Sequence, residues 1–77
     1  MTDDEAHLRH LEEFAEAAYD KMYDAGSPSG ANAFYSDAKE VFADAIGLAR
    51  RLGRTEDVTR LEKRLAHIKA VFRSQFT

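Results

Sequence analysis

The chain has 77 residues, no cysteine and a formal net charge of −3 at pH 7. This length fits one small domain with a thin core, and a chain without cysteine has neither disulfides nor thiolate metal sites. No apolar run reaches the ~20 residues that span a bilayer, and the acidic start MTDDEAHLRH is unlike a signal peptide. We therefore expect a cytoplasmic protein without membrane contact.

The first predicted helix covers about residues 3–25. Thr2 and Glu5 fit a capping box at its start, and Gly26 is expected to end it in a left-handed conformation. Apolar residues that recur every three or four positions share one face: Leu8, Leu11, Ala15, Ala18, Met22 and Ala25. The opposite face carries about one acid per turn, and we expect this stripe to point outward, too far from the third helix to pair with it: Glu12, Glu16, Asp20 and Asp24.

The second predicted helix covers about residues 31–52 and has the widest apolar side of the three, at roughly 160° against the ~100° of an ordinary surface helix. Phe42 lies at the centre of this side, between the small residues Ala38 and Ala45. A helix of this kind needs two neighbours, so we expect it to be the middle helix of three.

The start of this helix is open within residues 27–33. Ser27 could cap it with Pro28 as the first helical residue, a position that proline favours. Alternatively, Ser29 or Asn32 is the cap and the loop between the first two helices is longer.

The third predicted helix covers about residues 55–75, with Thr55 as its N-cap. Its apolar stripe is narrow: Val58, Leu61, Leu65, Ile68, Phe72 and Phe76. Only Gly53 and Arg54 separate it from the second helix, and so short a link reverses the chain direction. The predicted fold is therefore all-α, a single domain over residues 1–77 in which a helical hairpin and a third packing helix form an up-down-up bundle.

Charge is unevenly distributed along the chain. Residues 1–26 carry eight acids and two bases, whereas residues 50–77 carry eight bases and three acids. Such asymmetry indicates either a charged partner or the attraction of the first helix to the third. The second interpretation predicts that acids at the flanks of the first helix pair with Arg60, Arg64 or Arg73.

Few residues suggest site chemistry. His7 and His10 are neighbours on one helix, but no second helix offers a matching ligand set, so we expect no metal and no cofactor. The serines have no histidine nearby in sequence, and the paired carboxylates Glu12 and Glu16 are expected to be solvated, which leaves no raised pKa for acid–base work. We therefore expect a protein that is not an enzyme.

Aromatic residues and a methionine gather around the first hairpin: Tyr19, Met22, Tyr23, Phe34 and Tyr35. They either close the core at that end or form an exposed patch, since tyrosine and methionine are enriched at interface cores. Tyr23 is the residue that we expect to be exposed, because it lies about 100° from the centre of the apolar stripe.

The spacing Tyr35-x-x-Ala38-x-x-x-Phe42-x-x-Ala45, followed by Leu48 and Gly53, resembles the second helix of a tetratricopeptide repeat. The first helix departs from that family, with Glu12 where its tryptophan is expected. The resemblance covers about one helix and a turn, and it implies a packing style and a peptide- or protein-binding role.

Two functions follow from these observations. The first is a non-catalytic helical interaction module, a small regulator or adaptor that docks on a protein partner or on itself through Tyr23 and Phe34. The alternative is an acidic decoy that inhibits a basic nucleic-acid-binding protein through Glu12, Glu16, Asp20 and Asp24. The net charge and a pI of about 5.5 argue against direct binding of nucleic acid.

Overall fold

The structure, a computed structural model, describes residues 3–76 apart from the side chain of Phe76. The capping box predicted at Thr2 and the place of Phe76 in the apolar stripe lie outside this part. Within it the chain forms helices and no strand, which confirms the predicted all-α, three-helix fold. The helices are α1 (Asp3–Asp24), α2 (Pro28–Arg51) and α3 (Thr55–Phe76).

The middle position of α2 is confirmed. It packs along both α1 and α3, whereas the backbones of α1 and α3 approach each other much less closely. The Cα atoms accordingly span 39 × 19 × 13 Å, a flat arrangement of three helices. Phe42 has no exposed surface, and neither do the alanines around it on α2: Ala38, Ala45 and Ala49. These small side chains let the backbones of the neighbouring helices come close to α2.

Ser27 sets the start of α2. Its backbone is extended, its Oγ accepts a hydrogen bond from the Gly30 N–H at 3.1 Å, and its carbonyl oxygen accepts one from the Ala31 N–H at 3.0 Å. Pro28 follows as the first helical residue, where it needs no hydrogen-bond acceptor because it has no N–H. The predicted start at residue 31 is therefore wrong, the Ser27 alternative is correct, and the loop is only residues 25–27.

The two turns use glycine differently from the prediction. Gly53, with φ of 71°, is the residue with positive φ in the described part of the chain, so the expected left-handed Gly26 is wrong. At the end of α2 the Arg54 N–H donates to the Ala49 carbonyl at 2.9 Å and the Gly53 N–H donates to the Arg50 carbonyl at 3.1 Å. This pair of bonds is a Schellman motif, which requires the left-handed conformation at Gly53.

Arg54, and not Thr55, occupies the N-cap position of α3. The Arg54 carbonyl accepts the first helical hydrogen bond, from the Val58 N–H at 3.0 Å, and Thr55 is already helical. The Arg54 Nε donates to Asp57 Oδ2 at 2.6 Å, in the first turn of the helix. The predicted Thr55 cap is wrong because the Schellman motif at Gly53 already directs the chain into α3 one residue earlier.

Candidate partner-binding surface

A row of ion pairs joins α1 to α3. Glu12 accepts two hydrogen bonds from the Arg60 guanidinium, and Glu16 accepts from Arg64 Nε at 2.8 Å. Nearer the start of both helices, Arg54 Nη1 donates to Glu5 Oε1 at 3.1 Å. Because α1 and α3 run in the same direction, the pairs at Glu12 and Glu16 keep a constant separation of 48 positions. Ion pairs within the molecule thus account for at least part of the uneven distribution of charge along the sequence.

These pairs confirm that arginines of α3 meet acids of α1, but they correct the identity of the acids. Glu12 and Glu16 were expected to point outward, out of reach of α3, and both are instead bound to it. They follow the same flank of α1 as Tyr19, which is buried. The long glutamate and arginine side chains bridge the wider gap between α1 and α3. A helical wheel of α1 shows which face packs on α2, but it does not show the width of this gap.

The ion pairs hold their arginines in the charged form. The hydrogen bond that Arg60 donates to Glu12 raises the pKa of Arg60, and the one that Arg64 donates to Glu16 raises the pKa of Arg64. Across the first turn of α3, hydrogen bonds from Arg54 and then Arg60 hold the pKa of Asp57 below its ordinary value. Asp57, Arg60 and Arg64 are therefore held in their charged forms near neutral pH.

Removing the two central pairs should destabilise the fold modestly. The double variant Glu12→Gln with Glu16→Gln should lose up to about 1 kcal/mol of unfolding free energy per pair, because both pairs are partly exposed. Urea denaturation at low and high salt measures this loss, which should shrink as salt screens the charges. The matched control, Asp20→Asn with Asp24→Asn, removes the same charge from the exposed side of α1 and should leave stability unchanged or slightly higher.

Tyr19 and Tyr23 form an aromatic pair beside this row. Their rings meet edge to face with centroids 5.3 Å apart, and their hydroxyl oxygens are 3.0 Å apart. The Arg64 guanidinium lies 4.9 Å from the centre of the Tyr19 ring. Tyr19 is buried, while Tyr23 keeps 45% of its surface exposed, as the wheel predicted. The pair thus connects the core to the solvent at the last turns of α1.

Burial, with a smaller effect of the Tyr23 hydroxyl, raises the pKa of Tyr19 from 10.0 to about 12. A pKa that is higher in the folded state gives stability that is complete below pH 10 and is lost as pH rises towards 12. We expect unfolding experiments from pH 9 to pH 12 to show this loss in the natural chain and a smaller one in Tyr19→Phe, which has no phenol to ionise. Parallel curves for the two chains would contradict the assignment to Tyr19.

The predicted aromatic cluster is divided among separate contacts. Tyr35 stacks on Phe72 of α3 with ring centroids 3.9 Å apart, while Phe34 is half-buried with Lys21 Nζ 6.0 Å from its ring. Lys21 and Tyr23 are two positions apart on α1 and so face different ways. Phe34 therefore lies on the other side of α1 from Tyr23, and the two predicted binding residues do not form one patch.

Asp20 and Asp24 do share a surface with Tyr23. Both carboxylates are exposed. Asp20 lies about one turn before Tyr23, and Asp24 follows Tyr23 directly, about 100° further around the helix and one turn after Asp20. We call this group, Asp20, Tyr23 and Asp24, the Tyr23 surface. It combines an aromatic side chain with two negative charges.

Phe14 is the exposed aromatic residue that sequence reasoning missed as a candidate. With 59% of its surface exposed, it is more exposed than Tyr23. Its position at the edge of the apolar face of α1 was the available signal, but an edge position is equally compatible with burial against α2. Only the closeness of α1 to α2 decides whether Phe14 is exposed or buried.

Among the described residues no group of three or more histidine, aspartate or glutamate side chains could hold a metal ion. No helix in residues 3–76 has the length and apolar character that crossing a membrane requires. Comparison of the chain with protein-family models, curated proteins and solved structures finds no match.

Proposed function

We propose that this protein is a non-catalytic helical module that binds a protein partner through the Tyr23 surface. The observation that carries the proposal is the exposure of Tyr23, a large aromatic side chain whose ring is already positioned by Tyr19. A pre-positioned tyrosine loses little conformational freedom on binding, and tyrosine is enriched among the residues that dominate binding energy.

The chemistry of the surface defines the partner. Tyr23 needs an apolar pocket, and Asp20 and Asp24 beside it favour a rim that carries lysine or arginine. Charges at the edge of an interface mainly steer association and select the partner, while the buried aromatic residue supplies most of the affinity. The partner is therefore a protein with an apolar pocket in a basic surrounding.

The ion pairs argue against the acidic decoy. That function needs the four carboxylates Glu12, Glu16, Asp20 and Asp24 to be offered together to a basic protein. Glu12 and Glu16 already bind arginines of α3, so a competing protein would have to break both pairs first. The tetratricopeptide resemblance supports the module instead, since it implies peptide or protein binding, and it stays a prediction.

Affinity capture from the native host, with the immobilised natural chain and two variants, tests the proposal. We expect Tyr23→Ala to lose the captured partner and Phe14→Ala, which removes an exposed ring from the other flank of α1, to retain it. Raising the salt concentration should slow association without abolishing capture, because the aromatic contact carries the affinity. Equal capture by the natural chain and Tyr23→Ala would rule out the Tyr23 surface.

A further inference from the structure

A groove runs between α1 and α2 on the side of the molecule away from the Tyr23 surface. It has a volume of about 290 Å³, and both apolar and polar side chains line it. His7 and Leu11 of α1 form one wall, and five residues of α2 form the other: Ala43, Asp44, Gly47, Leu48 and Arg51. Phe14 lies three positions beyond Leu11, so it stands on the same side of α1, one turn from the groove. An exposed aromatic ring and an open groove with Leu11 and Leu48 among its lining residues are thus neighbours on one face.

Gly47 is the second observation on this face. It lies in the interior of α2 without a positive φ, and a Cβ built on it would meet no atom within 4 Å. Neither backbone conformation nor packing within the chain therefore requires glycine here, although glycine weakens a helix relative to alanine. The absence of a side chain at Gly47 leaves room for the close approach of a group from outside the chain.

We propose that this groove receives Phe14 of a second copy of the chain, and that Phe14 of the first copy enters the groove of the second. Because the ring and the groove lie on the same face, one two-fold axis places the ring of each copy in the groove of the other. The two-fold axis passes between the levels of Leu11 and Phe14 and makes the two α1 helices antiparallel. Leu11 and Phe14 are about 5 Å apart along the helix, so the rotation brings Phe14 of each copy to the level of Leu11 of the other.

Charges on α2 support the same axis. Leu11 and Asp44 line the groove together, so the axis crosses α2 near Asp44. Asp37 and Arg51 each lie seven residues from Asp44, and seven residues are close to two helical turns, so all three share a face. The two-fold rotation therefore brings Arg51 of one copy opposite Asp37 of the other, twice. Asp44 itself meets Asp44 of the second copy, which is a repulsive contact.

Sedimentation equilibrium of the full chain tests this surface, at concentrations up to roughly 1 mM, where weak specific complexes form. We expect a dimer whose Kd rises about 30-fold or more in Phe14→Ala, the effect of losing a central aromatic contact. Gly47→Leu should act similarly by filling the groove. The side chains concerned are exposed or face open space, so melting curves at high dilution should show that both variants fold.

Exchanging the charges of Asp37 and Arg51 tests the position of the proposed two-fold axis. Arg51→Asp alone should weaken the dimer, and Arg51→Asp combined with Asp37→Arg should restore it, because both cross-axis pairs return with reversed signs. Asp44→Asn should tighten the dimer by removing the repulsion at the axis. An exchange variant no tighter than the single variant would overturn the proposed axis.

A chain that stays monomeric at every concentration would overturn the proposal, and so would a dimer unaffected by both Phe14→Ala and Gly47→Leu. Tyr23→Ala is the matched control, since it removes an exposed ring from the other flank of α1 and should leave the dimer unchanged. This control also separates the two surfaces: partner capture depends on Tyr23, and self-association depends on Phe14.

Discussion

Replacing Phe42 with alanine should lower the free energy of unfolding by about 3–5 kcal/mol, the usual cost of removing a buried phenylalanine. The side chain has no exposed surface and lies on the middle helix, so its loss would leave a cavity inside the core. Small domains have only ~5–15 kcal/mol of total stability. The variant should therefore lose a large part of its stability, and its urea midpoint, followed by far-UV circular dichroism, should fall steeply.

Phe14→Ala is the matched control for this experiment. It deletes the same ring from an exposed position, and exposed substitutions usually change stability by no more than about 0.5 kcal/mol. The comparison is made at low protein concentration, so that self-association does not contribute. Equal effects of the two substitutions would contradict the central place of Phe42 in the core.

Leu61→Ala should have the second largest effect, about 2–5 kcal/mol, and it should act first on α3. Leu61 and Ile68 are the described residues of α3 that lie fully in the core. The other large apolar side chains that the structure describes on this helix are only half-buried: Val58, Leu65, Val71 and Phe72. Since α3 is anchored by so few buried groups, amide hydrogen exchange in Leu61→Ala should show that α3 loses protection before α1 and α2.

Leu65→Ala provides the comparison for Leu61. It makes the same chemical change four positions along the same helix, at a half-buried site. A smaller loss of stability and a smaller change in exchange are expected, because less apolar surface returns to water. If both variants lost the same stability, burial at Leu61 would not be what anchors α3.

The groove beside Phe14 and the Tyr23 surface lie on different flanks of α1, so one chain could use both at once. A dimer built around Phe14 would carry two Tyr23 surfaces. A partner with two matching pockets would then bind more tightly than a single surface allows, through effective concentration. Binding measurements with Phe14→Ala, which keeps the Tyr23 surface and removes the dimer, would reveal such a contribution.

Local pattern was enough to predict the helices and the residues at the centre of the core. The 3.6-residue period and the short link at Gly53 determine three helices in alternating directions, and the wide apolar side of α2 determines its middle place. The burial of Phe42 and the exposure of Tyr23 follow from angles on a single helix. Each of these features depends on spacing along the chain, and the sequence states that spacing completely.

Distances between helices were decided only by the tertiary structure. The sequence shows that Glu12 and Glu16 lie beside the apolar stripe of α1, but not that α3 stands near enough for Arg60 and Arg64 to reach them. Likewise, the aromatic residues near the first hairpin are close in sequence, yet Phe34 and Tyr23 lie on different sides of α1. A helical wheel gives direction around one axis, whereas pairing across a gap depends on the separation of two axes, which the packing of small residues such as Ala38 and Ala45 determines.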